Sequence, residues 1–219
     1  SLHVAAGSRL DVINNTCGSS GGGIFLHSET RLEVLGNRTQ VIVHGNSYGN
    51  DGGGFFVSGA RLKVASGAHL EISGNQPTGT GDYSRGGGAY LQNASFEINL
   101  GAKVVVQGNV AALRGGGLFF AMKTAVTISS GAFLDVINNA ATNEDGGGMF
   151  IKDSVLDVSG SGTKLVVREN SGRSGAGITA EETSSMSISS SARLDVINNT
   201  AWFGSGGGIY IRQKGTRLD

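Results

Sequence analysis

The chain alternates apolar and polar positions in short pieces, and the same pieces return. One stretch reads GGGIFL (Gly21–Leu26), then RLEV (Arg31–Val34), then QVIV (Gln40–Val43). Period-2 alternation with β-branched residues predicts β-strands whose successive side chains face in and out. No window carries helical spacing with caps, so helical repeats are set aside.

The pieces recur at a fixed interval. Glycine triplets begin at Gly21, Gly52, Gly86, Gly115, Gly146, Gly175 (written GAG) and Gly206, at spacings of 31, 34, 29, 31, 29 and 31 residues. An asparagine precedes each triplet: Asn15, Asn46, Asn75, Asn109, Asn139, Asn170 and Asn199. Three residues before each stands Val or Ile, and two further back Leu or Val, as in Leu10 and Val12. A period near 31 held over seven units is the signature of a solenoid; propeller blades need ~40–50 residues and four strands. The pattern predicts an all-β fold: a right-handed single-stranded parallel β-helix of about seven coils, three short strands per coil, forming one domain over residues 1–219. Both ends are in phase with the repeat and neither has a polar cap, so the expectation is a segment of a longer array, or ends covered by other material.

In such a coil each residue stacks on its counterpart about 4.8 Å away. An asparagine column then forms a ladder of side-chain amides, and asparagine also tolerates a left-handed corner. The glycines would let the following corner turn tightly.

A second period runs through the strand before the asparagine. Its outward middle residue is acidic in every second coil (Asp11, Glu71, Asp135, Asp195) and aliphatic between them (Ile42, Val105, Val166). Like charges stacked at ~4.8 Å repel by roughly 1 kcal/mol even in water, and doubling the spacing halves that.

The strand after the triplet carries another column: Phe25, Phe56, Tyr90, Phe119, Phe150, Thr179 and Tyr210. Parity places it outward, as an exposed aromatic stripe large enough to invite cover. Three readings stay open: a ladder that steadies stacked strands, lateral packing of another protein chain, or stacking of glycans. The corner between asparagine and glycines varies most between coils, and it projects Asp51, Asp82, Arg85, Arg114, Glu144, Asp145, Arg173, Trp202 and Phe203. Recognition in a solenoid usually lives on such an edge.

Composition narrows the function classes. The formal net charge is 0 and charged residues make up 16%, so no basic excess points to nucleic acid. No apolar run is long enough to span a membrane as a helix, and SLHVAAGSRL lacks the basic start and apolar stretch of a secretion signal. Glycine is abundant, at 38 residues, against one proline, Pro77, which favours ordered backbone over low-complexity disorder. The single Cys17 cannot form an internal disulfide. His3, His27, His44 and His69 lack metal-ligand spacing, so neither metal nor cofactor is expected. For a polysaccharide lyase or hydrolase, which needs clustered carboxylates and, in lyases, a base, Asp51, Asp82 and Arg85 are the only candidates. Four N-x-S/T sequons, at Asn14, Asn37, Asn93 and Asn198, are candidate glycosylation acceptors and fit a secreted eukaryotic protein.

The pattern VINNTA…GGGIYI (Val196–Ile211) resembles the repeats of chlamydial polymorphic outer membrane proteins, which pair FxxN with GGA plus an apolar residue. Here VINN stands at the first motif at Val12–Asn15, Val136–Asn139 and Val196–Asn199, and GGGI, GGGF, GGGA, GGGL, GGGM or GAGI at the second, within the wider pectin-lyase-like β-helix group. The resemblance spans the chain and implies a cell-surface, adhesive β-helix without catalytic residues. The expectation is therefore a non-enzymatic extracellular or surface module, structural or adhesive. Its partners would be other protein chains or further repeats, at the ends and along the stripe, with glycans a further option. The alternative is a carbohydrate-binding or carbohydrate-active β-helix.

Overall fold

The computed structural model describes residues 1–79 and 83–219 and is a parallel β-solenoid of about seven turns. No described residue is helical. The first coil sets the template: β1 Leu2–Ala5, β2 Arg9–Ile13, β3 Thr16–Cys17 and β4 Ile24–His27. Each strand pairs in parallel with its counterpart one coil on: Leu2 with Leu32, Leu10 with Val41, Ile24 with Phe55. The result is an eight-stranded sheet built on β1 and seven-stranded sheets built on β2 and on β4. The three sequence-predicted strands are these. The structure adds a fourth, the two-residue strand that starts with β3 and recurs as Ser47–Tyr48 and Val110–Ala111. It is too short to show periodicity in sequence.

The core follows the in–out alternation. Val41, Leu70, Val104, Leu134 and Leu165 form one fully buried column and Val43, Ile72, Val106, Val136 and Val167 another. Each such side chain stabilises the fold by roughly 1.5–3 kcal/mol relative to exposure. Buried on top of one another at the strand spacing, they make every coil depend on its neighbours.

The asparagines stack as a continuous ladder. In the fourth coil Asn109 Oδ1 accepts the backbone N–H of Asn75 (3.0 Å) and its Nδ2–H (2.8 Å). Asn109 Nδ2 donates to Asn139 Oδ1 at 3.0 Å and to the Ile72 carbonyl at 2.9 Å. All four hydrogen-bonding positions of a fully buried amide are used. The same bonds join Asn15 to Asn46 (3.0 Å), Asn46 to Asn75 (3.0 Å), Asn139 to Asn170 (3.0 Å) and Asn170 to Asn199 (2.9 Å).

One expectation is corrected. The ladder asparagines do not take the left-handed backbone; the residue before each does, as Asn14, Gly45, Gly74, Gly108, Asn138, Glu169 and Asn198. The side chain that builds the ladder must stand on a regular backbone, so the corner strain falls one position earlier.

The ladder also explains the glycines. The first of each triplet, such as Gly52 (φ 68°), turns the corner. At the third there is no room: a Cβ on Gly88 would lie 3.0 Å from Asn109 Nδ2 and 2.6 Å from the Gly117 carbonyl oxygen. The same approach to the amide nitrogen recurs at Gly54 with Asn75 and Gly177 with Asn199. Asparagine and triplet are therefore one packing unit.

On the β2 sheet three of the four alternating acids meet a cation in place. Arg168 clasps Asp135 (Nη2–Oδ2 3.0 Å, Nε–Oδ1 3.3 Å), and Arg9 reaches Asp11 at 2.9 Å. Lys164 and Arg193 both reach Asp195, at 2.9 and 2.7 Å, and hydrogen bonds from Lys164 first, then Arg193, hold its carboxyl below the ordinary value. Glu71 instead accepts from the Ser73 hydroxyl (2.8 Å) and Gln107 (3.1 Å).

Candidate functional site: the aromatic column and its corner

The rings after the triplets form a face-to-face stack on the outer side of the β4 sheet. Centroid separations are 4.9 Å for Phe25–Phe56, 5.4 Å for Phe56–Tyr90, 5.0 Å for Tyr90–Phe119 and 5.1 Å for Phe119–Phe150, with planes within 13° of parallel. Parallel strands in register impose this geometry, because equivalent residues share one rotamer and one rise.

The stack is not the exposed stripe that parity alone suggests. Tyr90, Phe119 and Phe150 are buried, Phe56 and Tyr210 are half-buried, and only Phe25 is open, at 53% exposure. The cover comes from the chain itself. Arginines that stand just before a triplet lean over the rings: Arg85 lies 5.0 Å from the Tyr90 centroid in its own coil and 5.6 Å from Phe119 in the next, and Arg114 lies 5.0 Å from Phe150, one coil on. Arg212, two positions after Tyr210, covers that ring at 5.7 Å. Guanidinium groups suit this place, since they are planar, attracted to the ring face, and still able to bond outward.

Those cations are held by acids from other coils. Asp51 takes Arg85 with both oxygens (Nε–Oδ1 3.0 Å, Nη2–Oδ2 2.8 Å). Glu181 is nearly buried and takes Arg114 at 3.2 Å and Arg212 at 2.7 Å, with Lys152 at 3.8 Å. Arg114 also pairs with Glu144, Arg212 with Asp145 (3.2 Å), and Lys152 with Glu182 (2.9 Å). This cluster lies where the aromatic column is interrupted by Thr179, so ion pairs cap the one gap between Phe150 and Tyr210. Burial, with the Asp51 charge nearby and Arg85 opposing, raises the Tyr90 phenol above its ordinary value.

The sequence-selected corner residues divide into two sets. Asp51 and Arg85 come together, as one ion pair, while Asp82 lies outside the described residues. Tyr83, Trp202 and Phe203 project freely, at 78%, 52% and 75% exposure. Tyr83 lies in the corner between Asn75 and Gly86 and is not among the residues that the sequence pattern singles out. The four sequon asparagines, Asn14, Asn37, Asn93 and Asn198, are all exposed. Among the described residues no three His, Cys, Asp or Glu side chains converge as on a metal ion, and no helix is long and apolar enough to cross a membrane.

Fold and face together define a parallel β-solenoid with a self-covered aromatic stack and a variable, aromatic-tipped corner. Compared with protein-family models, curated proteins and solved structures, the chain matches none.

Proposed function

We propose that this chain is a non-enzymatic structural and adhesive solenoid module that works outside the cell or on its surface. The observation that carries this reading is the division of labour around each coil. Ladder, triplet and core columns repeat with little change, while the corner changes from coil to coil and lifts Tyr83, Trp202 and Phe203 into solvent. A rigid repeat with one varied edge is built to present contacts at fixed spacing. The lyase-like candidate Asp51 supports the same reading: it is engaged on both oxygens by Arg85, itself a candidate, which in turn is laid over Tyr90. Four exposed sequons are consistent with a secreted chain that carries glycans, but the reading does not depend on them.

The test is direct. Purified protein is incubated with a panel of acidic and neutral polysaccharides, while its adhesion to immobilised cell-surface proteins is measured. The expected result is adhesion without release of reducing ends or unsaturated uronides; cleavage that is lost in Asp51→Asn would overturn the proposal in favour of a carbohydrate-active enzyme.

A further inference from the structure

The cations of the aromatic corner are not equivalent. Arg85, Arg114, Lys152 and Arg212 each lie within 4.0 Å of a carboxylate. Arg173, in the same corner of the sixth coil, forms no ion pair with any described residue. Its backbone is nonetheless pinned on both sides: its N–H donates to the Glu144 carbonyl and its carbonyl accepts from the Gly204 N–H, both at 2.7 Å. Its guanidinium is set 5.3 Å over the Phe203 ring. The result is an exposed positive charge, laid over a ring and without a counter-charge among the described residues.

Its surroundings are apolar on one side and polar on the other. Phe203 and Trp202 stand out from the next coil, 75% and 52% exposed, their rings 6.4 Å apart and inclined at 54°. Phe203 borders a cleft of about 320 Å³ that is also lined by Arg173, Ser174, Ser205, Tyr210 and the Arg212–Asp145 pair. Arg212 is already engaged by Asp145 and Glu181, so an incoming acid finds only Arg173 uncompensated.

We propose that this corner binds an extended segment of a protein partner that carries a carboxylate beside an apolar side chain. The carboxylate pairs with Arg173, in the two-pronged geometry a guanidinium offers. The apolar side chain packs on the exposed outer surfaces of the Trp202 and Phe203 rings. Tryptophan and arginine at the centre of a contact are the side chains that most often dominate binding. The ring arrangement favours a peptide over a sugar. One face of Phe203 is taken by Arg173, and the tilt to Trp202 makes a wedge rather than the open flat platform on which a sugar ring stacks. The inference rests on the adhesive reading above and gives it a location and a partner chemistry.

The experiment uses the whole chain and an array of hexapeptides in which one Asp or Glu neighbours Leu, Ile, Phe, Gly or Ser, with a heparin-derived hexasaccharide in parallel. Binding is expected for peptides that join the acid to Leu, Ile or Phe, and at least tenfold weaker for their acid-to-amide counterparts. Arg173→Gln should weaken binding tenfold or more and Trp202→Ala severalfold, while both variants keep the wild-type melting curve, since neither side chain is buried. Equal binding by wild type and Arg173→Gln would overturn the proposal, as would absence of any acid-dependent peptide. Arg173-dependent capture of the hexasaccharide without the peptides would overturn it in favour of a glycan. Failure here with adhesion retained would leave the module's function standing and move its contact elsewhere; cleavage of polysaccharide would remove the function itself.

Discussion

Asn109 Nδ2 donates to Asn139 Oδ1 at 3.0 Å, thirty residues along the chain and one coil away. Its second N–H goes back to Ile72, and its oxygen takes two bonds from Asn75. One side chain thus ties three coils, and the third glycine of the preceding triplet, Gly88, packs against it.

Removing that amide should cost more than one hydrogen bond. Asn109→Ala leaves the Asn75 N–H and one Asn75 side-chain N–H without partners and removes a donor from the Ile72 carbonyl. At ~1–3 kcal/mol for each buried orphan, a loss of about 3–5 kcal/mol is expected. Asn109→Asp keeps the shape but turns an oxygen toward Asn139 Oδ1 and the Ile72 carbonyl. It should destabilise at least as much at neutral pH, with partial recovery as acid protonates the buried carboxyl. Urea unfolding of the two variants at neutral and acidic pH checks both statements.

Gly88→Ala should be costly for a steric reason alone. The added methyl meets Gly117 oxygen at 2.6 Å, Val106 Cγ1 at 2.9 Å and the Asn109 amide at 3.0 Å. Overpacking of this kind costs about 1–3 kcal/mol. The control is Gly101→Ala, where a Cβ meets nothing within 4 Å but φ is +72°, so that only backbone strain remains, about 1 kcal/mol. A smaller loss at Gly88 than at Gly101 in thermal melts would contradict the packing account.

The aromatic stack should behave as a core rather than a surface. Phe119 is 1% exposed between Tyr90 and Phe150. Phe119→Ala is expected to cost about 3–5 kcal/mol, the range for buried rings. Phe25→Ala, at the open end of the same column, should cost a small fraction of that. Equal losses would mean that the arginine cover does not shield the stack.

Tyr48 predicts an alkaline limb. Its hydroxyl is buried and donates to the Val110 carbonyl at 2.8 Å, and burial pushes the phenol well above its ordinary value. A folded value raised above the unfolded one gives stability that is complete below about pH 10 and declines above it, because only the unfolded chain ionises. Tyr48→Phe should lose about 1 kcal/mol at neutral pH through the missing bond, yet decline less steeply above pH 10. Chemical denaturation across that range reads the crossing directly.

Asn99 offers the reverse case. Its Oδ1 is buried with no hydrogen-bond partner among the described residues. The equivalent place one coil earlier is Ala65. Asn99→Ala should raise stability by about 1 kcal/mol, since an unmade buried bond costs roughly that or more; a drop in the unfolding midpoint would refute this.

The repeat itself was legible because stacking writes physical demands into composition at a fixed interval. A column that must bury carbon spells Leu and Val, a corner that must satisfy buried amides spells Asn, and a backbone with no space for Cβ spells Gly. Strand direction, register, the inward columns and the outward place of Phe119 all follow from that arithmetic. Three things do not. The two-residue strand at Ser47–Tyr48 is too short for a period, and the left-handed residue falls one step before the ladder, at Gly108 rather than Asn109. The third is exposure: parity says that Tyr90 points away from the core, but Arg85, anchored by Asp51 a coil below, closes over it. Outward is a property of the strand, fixed by alternation. Covered or open depends on side chains that reach across coils from the irregular corner, and for the same reason the lone charge of Arg173 among its paired neighbours emerges only from the tertiary structure.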